Sequence, residues 1–464
     1  MANAMRTTGN PPIKVAVVGH TNAGKTSLIR TLLRDDRFGK IDDAAGTTRY
    51  VEKSAIFSGD DEVLNLFDTP GFEDSSALLQ ALEDLSETLQ ARLPADVLRA
   101  FIAQADDFPD FVQETKVLRQ SINSDVLLYV IDVREPFLGK YRDEVEILSK
   151  AGKPILPVFN FIAGNRAALK RWREQMAQFN LHAALEFDTV AFDFEAEKRL
   201  YQKLQSLIED RYDALQALID SRQEIWKSLN QAAARRIFLL LTEVACYRRE
   251  VEGKSGPTQA EVAFMQDYVR EVEQRALQDL LTIFAFTQLD VDLQQLPVRD
   301  GKWALDIFSP GMFKAFGLNA GATALKGAAA GAGIDLMVGG LSLGAATMLG
   351  AALGAGWAAA RRYQQELKAA WRGHIWLSVD DNTISLLYLR QRKLFYDLTR
   401  RGHAAQNSIQ LSNNIAHQLP KRWYKVVQQL RQHPEWQHTT TINAEYQKLQ
   451  RQVVGWLLSG ESNR

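Results

Sequence analysis

The residues best suited to chemistry form one short run, Gly19-His20-Thr21-Asn22-Ala23-Gly24-Lys25-Thr26, with Ser27 next. It fits the pattern G-x-x-x-x-G-K-[ST]. Glycines at these places let successive backbone N–H groups turn inward around the α- and β-phosphates of a nucleotide. A helix starting just behind them adds its positive dipole end. Gly19, Asn22, Ala23, Gly24, Lys25, Thr26 and Ser27 are therefore the candidate phosphate-binding positions. Lys25 can reach the β- and γ-phosphates as a point charge, and the Thr26 hydroxyl can hold Mg²⁺. A second set, Asp68-Thr69-Pro70-Gly71, ends an apolar run. An acid at a strand's end can orient a metal-bound water, so Asp68 joins Thr26 as a candidate metal residue. The Gly71 N–H can sense a γ-phosphate. Together these residues predict a nucleoside triphosphate site.

Such a loop needs a strand before it and a helix after it. The apolar run Ile13–Val18 and the segment Ser27–Leu33 supply both. Two strand-like runs follow, Tyr50–Phe57 and Glu62–Phe67, joined by the hairpin signal Ser58-Gly59-Asp60-Asp61. Before the next buried strand, Val126–Ile131, lies a helical pattern at about 75–121. That is too long for a simple βα connection and reads as a helical insertion beside the phosphate site. Helix 141–151, strand Pro154–Phe159, helix 165–179, strand Glu186–Phe192 and helix 195–208 continue the alternation. The fold class expected is α/β, a mostly parallel sheet with helices on both faces, over residues 13–210. Residues 1–12 read as a flexible tail without the apolar core of a secretory signal.

From 211 to 464 the alternation stops, and a mainly α-helical domain is expected. Its helical patterns cover 212–252, 258–283, 361–373, 381–402, 419–433 and 442–457, with His374–Val379 a short strand candidate. Within it, residues 317–360 are rich in Gly and Ala, and Leu336–Ala360 carries no formal charge. That run is long enough to cross a bilayer. Gly340-x-x-x-Gly344 and Gly350-x-x-x-Gly354 would let helices approach closely, and Arg361-Arg362 follow as cationic anchors. A helical hairpin turning near Gly333–Asp335 fits the pattern, either in contact with lipid or buried in the helical domain, and both readings stand.

At 464 residues, 46% hydrophobic and 24% charged, the chain can form two or three globular domains. A single cysteine, Cys246, excludes an internal disulfide framework and a cysteine zinc site, and suits the cytosol. Its expected place is a small buried residue on a helix. The net charge of −1 conceals an asymmetry: from Arg361 onward there are 16 Lys and Arg against 7 Asp and Glu. This basic end suits anionic lipid, nucleic acid or a solvated helical surface.

The ordered set Gly19–Thr26, Gly46-Thr47-Thr48-Arg49 and Asp68–Gly71 resembles the P-loop GTPases of the TrmE–Era type, over roughly residues 13–210. The resemblance implies a P-loop NTPase domain that hydrolyses GTP to GDP with Mg²⁺. It makes Thr48, with Thr47 the near alternative, a metal and catalytic residue beside Lys25, Gly71 and Asn22. Asn22 matches an asparagine that helps bind K⁺ in some relatives; its other reading is a turn residue tolerant of unusual dihedrals. Two places depart from the pattern. Phe72 stands where Ras-like relatives carry a water-orienting glutamine. The base-reading N-K-x-D is replaced by Asn160-Phe161-Ile162-Ala163, which keeps only Asn160 as a candidate nucleotide contact. The carboxyl half is similar to an uncharacterised helical domain fused to such GTPase modules in proteobacteria.

These readings lead to a nucleotide-switched GTPase, cytoplasmic or at the cytoplasmic side of the inner membrane, that contacts lipid through 317–360 and an unidentified protein partner. The alternatives are an RNA- or ribosome-associated assembly GTPase, less favoured because no nucleic-acid-binding motif is found, and a slow nucleotide-sensing scaffold.

Overall fold

The computed structural model describes residues 11–33, 51–89, 93–162, 164–187, 194–252, 257–284, 374–400, 419–438 and 443–459, with short pieces between 298 and 342. The chain divides into two compact units, one of residues up to Lys227 together with a segment starting at Thr399, and one of Ser228–Leu398 with the residues from Ser408 on.

The first unit is built on a six-stranded sheet: β1 (Ile13–Val18), β2 (Glu52–Ser58), β3 (Asp61–Asp68), β4 (Val126–Asp132), β5 (Ile155–Asn160) and the short β6 (Leu185–Glu186). The order is β2-β3-β1-β4-β5-β6. Only the β2–β3 hairpin is antiparallel, and the other pairings are parallel. A parallel sheet needs both faces covered, and the alternation of β1 and β4 provides for it. Ile13, Val15, Val17, Val126, Leu128 and Val130 turn to one face, where α1 (Lys25–Leu33) contributes Leu28, Ile29 and Leu32. Ala16, Val18, Leu127, Tyr129 and Ile131 turn to the other. That second face is covered by α2 (Ser75–Leu89), α3 (Pro94–Ala103), α4 (Val112–Asn123), α5 (Gly139–Ser149) and α6 (Arg166–Gln178). The expected helical insertion is thus a packed layer of the core, through Leu78, Leu82, Leu98, Phe101, Val117 and Leu118. Helix α7 (Phe194–Leu207) adds Leu200 and Leu204 to the first face.

Helix α8 (Tyr212–Ala245) contains the division between the units. The second unit continues with α9 (Gln259–Ile283), α10 (Asp381–Arg400), α11 (Trp423–Arg431) and α12 (Ala444–Ser459). Thr258 begins α9 with a capping box: its side chain accepts from the Glu261 N–H while the Glu261 carboxylate accepts from the Thr258 N–H. This region is largely helical, as expected, but it also holds an antiparallel four-stranded sheet.

That sheet corrects two expectations. The helix expected over 212–252 stops at Ala245, and Arg249–Glu252 forms β7, paired with the strand at His374–Val379. The helical hairpin with its turn near Gly333–Asp335 is also replaced. Ile334–Val338 is a strand antiparallel both to Leu341–Ser342 and to His374–Val379. Ile-Asp-Leu-Met-Val is short and ends in a β-branched residue, and the following Gly339-Gly340 is a dipeptide favoured in two-residue hairpin connections. A partner strand decided both cases, which helical periodicity alone does not register. The rest of 317–360 lies outside the described residues, as does 361–373. Cys246 is buried just past the end of α8, and burial pushes its thiol up to about 12.

Candidate functional site

The phosphate loop joins β1 to α1 at the carboxyl ends of the parallel strands, where open α/β sheets bind ligands. Parallel pairing sets Val17 opposite Asp68, bringing the end of β3 beside the loop. Thr26 Oγ1 donates to Asp68 Oδ2 at 2.6 Å, so the two candidate metal residues meet. Asp68 is 1% exposed, and its other oxygen, Oδ1, is buried with no protein partner. Burial raises the Asp68 carboxyl to about 6, against the opposing pull of the Thr26 hydrogen bond and the Lys25 ammonium. Thr69 Oγ1 ties the turn to the Val17 carbonyl at 2.8 Å.

Lys25 is buried at the base of the loop. Its Nζ donates to the carbonyls of Gly19 (3.1 Å) and His20 (2.9 Å). Burial lowers its pKa, while Asp68 and Glu144 counteract that shift. Asn22 is exposed in the left-handed region (φ 64°), the conformation a turn asparagine tolerates. Ala23 is buried, and Ser27 lies in the first turn of α1.

Gly71 approaches the loop so closely that a Cβ there would lie 2.4–2.6 Å from Thr21 atoms. Phe72 pairs with His20 in an isolated parallel bridge. Its N–H faces the Gly19 carbonyl at 3.4 Å, and its carbonyl accepts from Thr21 Oγ1 at 3.3 Å. The Phe72 ring is fully buried in the core, so it orders no water.

Asn160 ends β5, and its side chain turns to the phosphate loop. Nδ2 donates to the Ala23 carbonyl at 3.0 Å, and Oδ1 accepts from the Phe161 N–H at 2.9 Å. A Cβ on Gly24 (φ 94°) would fall 2.2 Å from Asn160 Nδ2, so with Asn160 in place position 24 demands glycine. Phe161, at the place of the motif lysine, adopts φ 56° and carries the Arg134 guanidinium 3.8 Å above its ring. Arg134 also grips Asp132, which sits opposite Asn160 in register. Thr48 and Thr47 lie outside the described residues.

Several site residues are not singled out by any motif in the sequence. His20 Nδ1 meets the fully buried Glu144 Oε1 at 2.9 Å, and Lys140 Nζ meets His20 Nε2 at 2.9 Å. An ammonium only donates, so with Lys140 donating to Nε2 the imidazole Nδ1–H donates a hydrogen bond to Glu144 Oε1. Tyr129 Oη donates to the other Glu144 oxygen at 2.7 Å, and burial beside that acid holds the phenol protonated. Ser75 and Ser76 bond to the Lys140 carbonyl and the Asp143 carboxylate at 2.9 and 2.5 Å. Helix α5 thus fastens both the phosphate loop and the start of α2. The available clue was the row of acids on α5 among apolar residues, which also fits an ordinary exposed helix face.

The parallel sheet, the loop wrapped before α1 and the Thr26–Asp68 pair define a P-loop nucleoside-triphosphate-binding fold. Residues 14–161 match the family described as "50S ribosome-binding GTPase". Residues 173–457, more than half of the sequence, match "Domain of unknown function (DUF3482)", and the chain belongs to that family. GTPase Der of Bordetella petrii is 31% identical over 195 residues, 38% of this chain and 42% of that protein. The tRNA modification GTPase MnmE of Aliarcobacter butzleri is 36% identical over 87 residues, 19% of each. The chain thus spans well under half the length of these curated relatives. Among solved structures, Era in complex with MgGDPNP and 16S ribosomal RNA aligns at 17% identity over 58% of this chain and 88% of that one. Its TM-score of 0.28 is too low to add to the fold described above.

Proposed function

We propose that the chain binds GTP through its first unit and hydrolyses it to GDP and phosphate, as a TrmE–Era-type switch. The observation that carries this reading is the Thr26–Asp68 contact at 2.6 Å with Asp68 Oδ1 buried and unpartnered. A hydroxyl and a carboxylate oxygen are hard donors that suit Mg²⁺. Thr26 and Asp68 would hold it, with Thr48 as the proposed third residue. Bound there, Mg²⁺ would neutralise charge on the β- and γ-phosphates. Lys25 would exchange the Gly19 and His20 carbonyls for phosphate oxygens. Backbone amides from Asn22 to Ser27 would cradle the phosphates, and the Gly71 N–H would face the γ-phosphate.

Phe72 removes the usual water-orienting side chain, so the remaining catalytic charge must come from another group. Asn22 is the candidate to hold K⁺ there, which makes turnover dependent on potassium over sodium. Guanine preference rests on the family of the first unit, since Asn160 is the one residue kept from the base motif.

The test is nucleotide binding and turnover by the full chain with Mg²⁺. GTP and GDP should bind, GTP should be hydrolysed, and Lys25→Ala should abolish turnover. No affinity for either nucleotide overturns the proposal.

A ribosome- or RNA-associated role is the second reading, favoured by a groove of about 430 Å³ between α11 and α12 lined by Arg422, Lys425 and Lys448 with Glu445. Salt-sensitive co-sedimentation with ribosomes tests it. Lipid contact through 317–360 is a separate proposal without support from the described elements. No helix among the described residues is long and apolar enough to cross a membrane. Failure to float with liposomes in both GDP and a GTP analogue would remove it. A protein partner is likewise proposed, without a surface assigned to it.

A further inference from the structure

We propose that Glu114, on the inserted helix α4, is a positioning residue that sets the segment after Gly71 for the γ-phosphate. The insertion is then part of the switch. The inference rests on the GTPase reading above and deepens it.

Glu114 is 3% exposed, and its Oε1 accepts from two consecutive main-chain amides, those of Glu73 (3.0 Å) and Asp74 (3.4 Å). The acceptor comes from some forty residues farther along the chain. These amides stand immediately before α2, where helix-start N–H groups lack internal partners and the dipole favours a negative charge. The local cap is already supplied by Asp74, whose Oδ1 accepts from the Ala77 N–H at 2.9 Å. A buried carboxylate is costly to desolvate, and a leucine would fill the space if packing were all that was needed.

The position gives this contact its consequence. Residue 72 is bound to the phosphate loop through Gly19, His20 and Thr21. Residues 73 and 74 are bound to Glu114. The three-residue segment following Gly71 is therefore held by the loop at one end and by the insertion at the other. Beyond it, Ser75 and Ser76 are tied to α5. Any shift of the Gly71 amide toward a γ-phosphate must slide the Glu73 and Asp74 amides against Glu114. The carboxylate thereby fixes where Gly71 waits, and α4 feels its displacement.

The experiment uses the full chain with Mg²⁺ and compares Glu114→Ala and Glu114→Gln with wild type for affinity toward GDP and a non-hydrolysable GTP analogue. A charge-assisted hydrogen bond lost at this place corresponds to roughly a tenfold or greater loss. The expected result is about tenfold weaker analogue binding in Glu114→Ala with GDP affinity within twofold of wild type. Glu114→Gln, which keeps an acceptor oxygen without the charge, should fall between. Equal losses for both nucleotides, or no loss, overturn the proposal. Should Glu114→Ala fail to fold, the isosteric Gln variant carries the comparison. Hydrogen exchange in wild type provides an independent reading: the amides of residues 73 and 74 should change protection between GDP and the analogue, and unchanged protection overturns the proposal. Wild type that binds neither nucleotide defeats the GTPase reading itself. Wild type and Glu114 variants that discriminate equally defeat only this inference.

Discussion

Asn160 shows how far a single residue could be read from the sequence. Its presence at the end of β5 was legible from the remnant of the base motif, but the direction of its side chain was not. In the structure it holds the Ala23 carbonyl and the Phe161 amide, so it braces the phosphate loop from behind. Asn160→Ala should leave both groups unsatisfied at a cost of about 1–3 kcal/mol, and GDP affinity should drop about tenfold as the loop loosens. Isothermal titration calorimetry checks the affinity and a thermal melt checks the stability. Lys25 and Thr26 were readable because the phosphate-loop pattern fixes their spacing, and Asp68 because it ends a strand-like run just before Thr69-Pro70-Gly71. Glu114, Tyr129 and Glu144 were not. Their partners lie between 15 and 124 residues away, and an acid inside a helical pattern reads the same whether it faces water or a backbone amide.

Among the elements, the alternating strands and helices of the first unit were readable because burial on both faces of a parallel sheet writes continuous apolar runs into β1 and β4. The strands at Arg249–Glu252 and Ile334–Val338 were not, since both exist through long-range antiparallel pairing. Pairing between α9 and α10 was equally hidden. Glu273 and Arg390, both buried, meet at 3.1 Å, and the guanidinium lies 4.1 Å over the Trp303 ring. Glu273→Leu alone should destabilise the second unit by about 3–5 kcal/mol by stranding the arginine, and adding Arg390→Met should recover most of that loss. Denaturant unfolding of the two single variants and the double variant measures both effects. Burial, outweighing the neighbouring guanidinium, raises Glu273 to about 7. The folded chain therefore holds this proton more tightly than the unfolded chain, whose glutamate titrates near about 4.3. Its contribution is full below that value and is lost as pH rises through 7, so stability should fall from about pH 4.3 to about pH 7 and Glu273→Gln should flatten that slope.

For the molecule as a whole, the sequence disclosed the change from an α/β to a helical half and the basic carboxyl end. It disclosed less of the second unit, where Gly- and Ala-rich composition fits several kinds of packing equally well. Ligand linkage gives a test at this scale. GDP at about a hundred times its dissociation constant should stabilise the chain by roughly 2.7 kcal/mol, read as slower hydrogen exchange in β1 and α1. The sealed ring of Phe72 has a consequence for timing. On the proposed reading, a switch whose own side chains order no water would run as a slow clock until a bound cation or partner supplies the missing charge, dwelling in the charged state long after loading. The moment of discharge would then belong to whichever outside agent supplies the missing polarity, and the cell's control over this protein would lie with that agent.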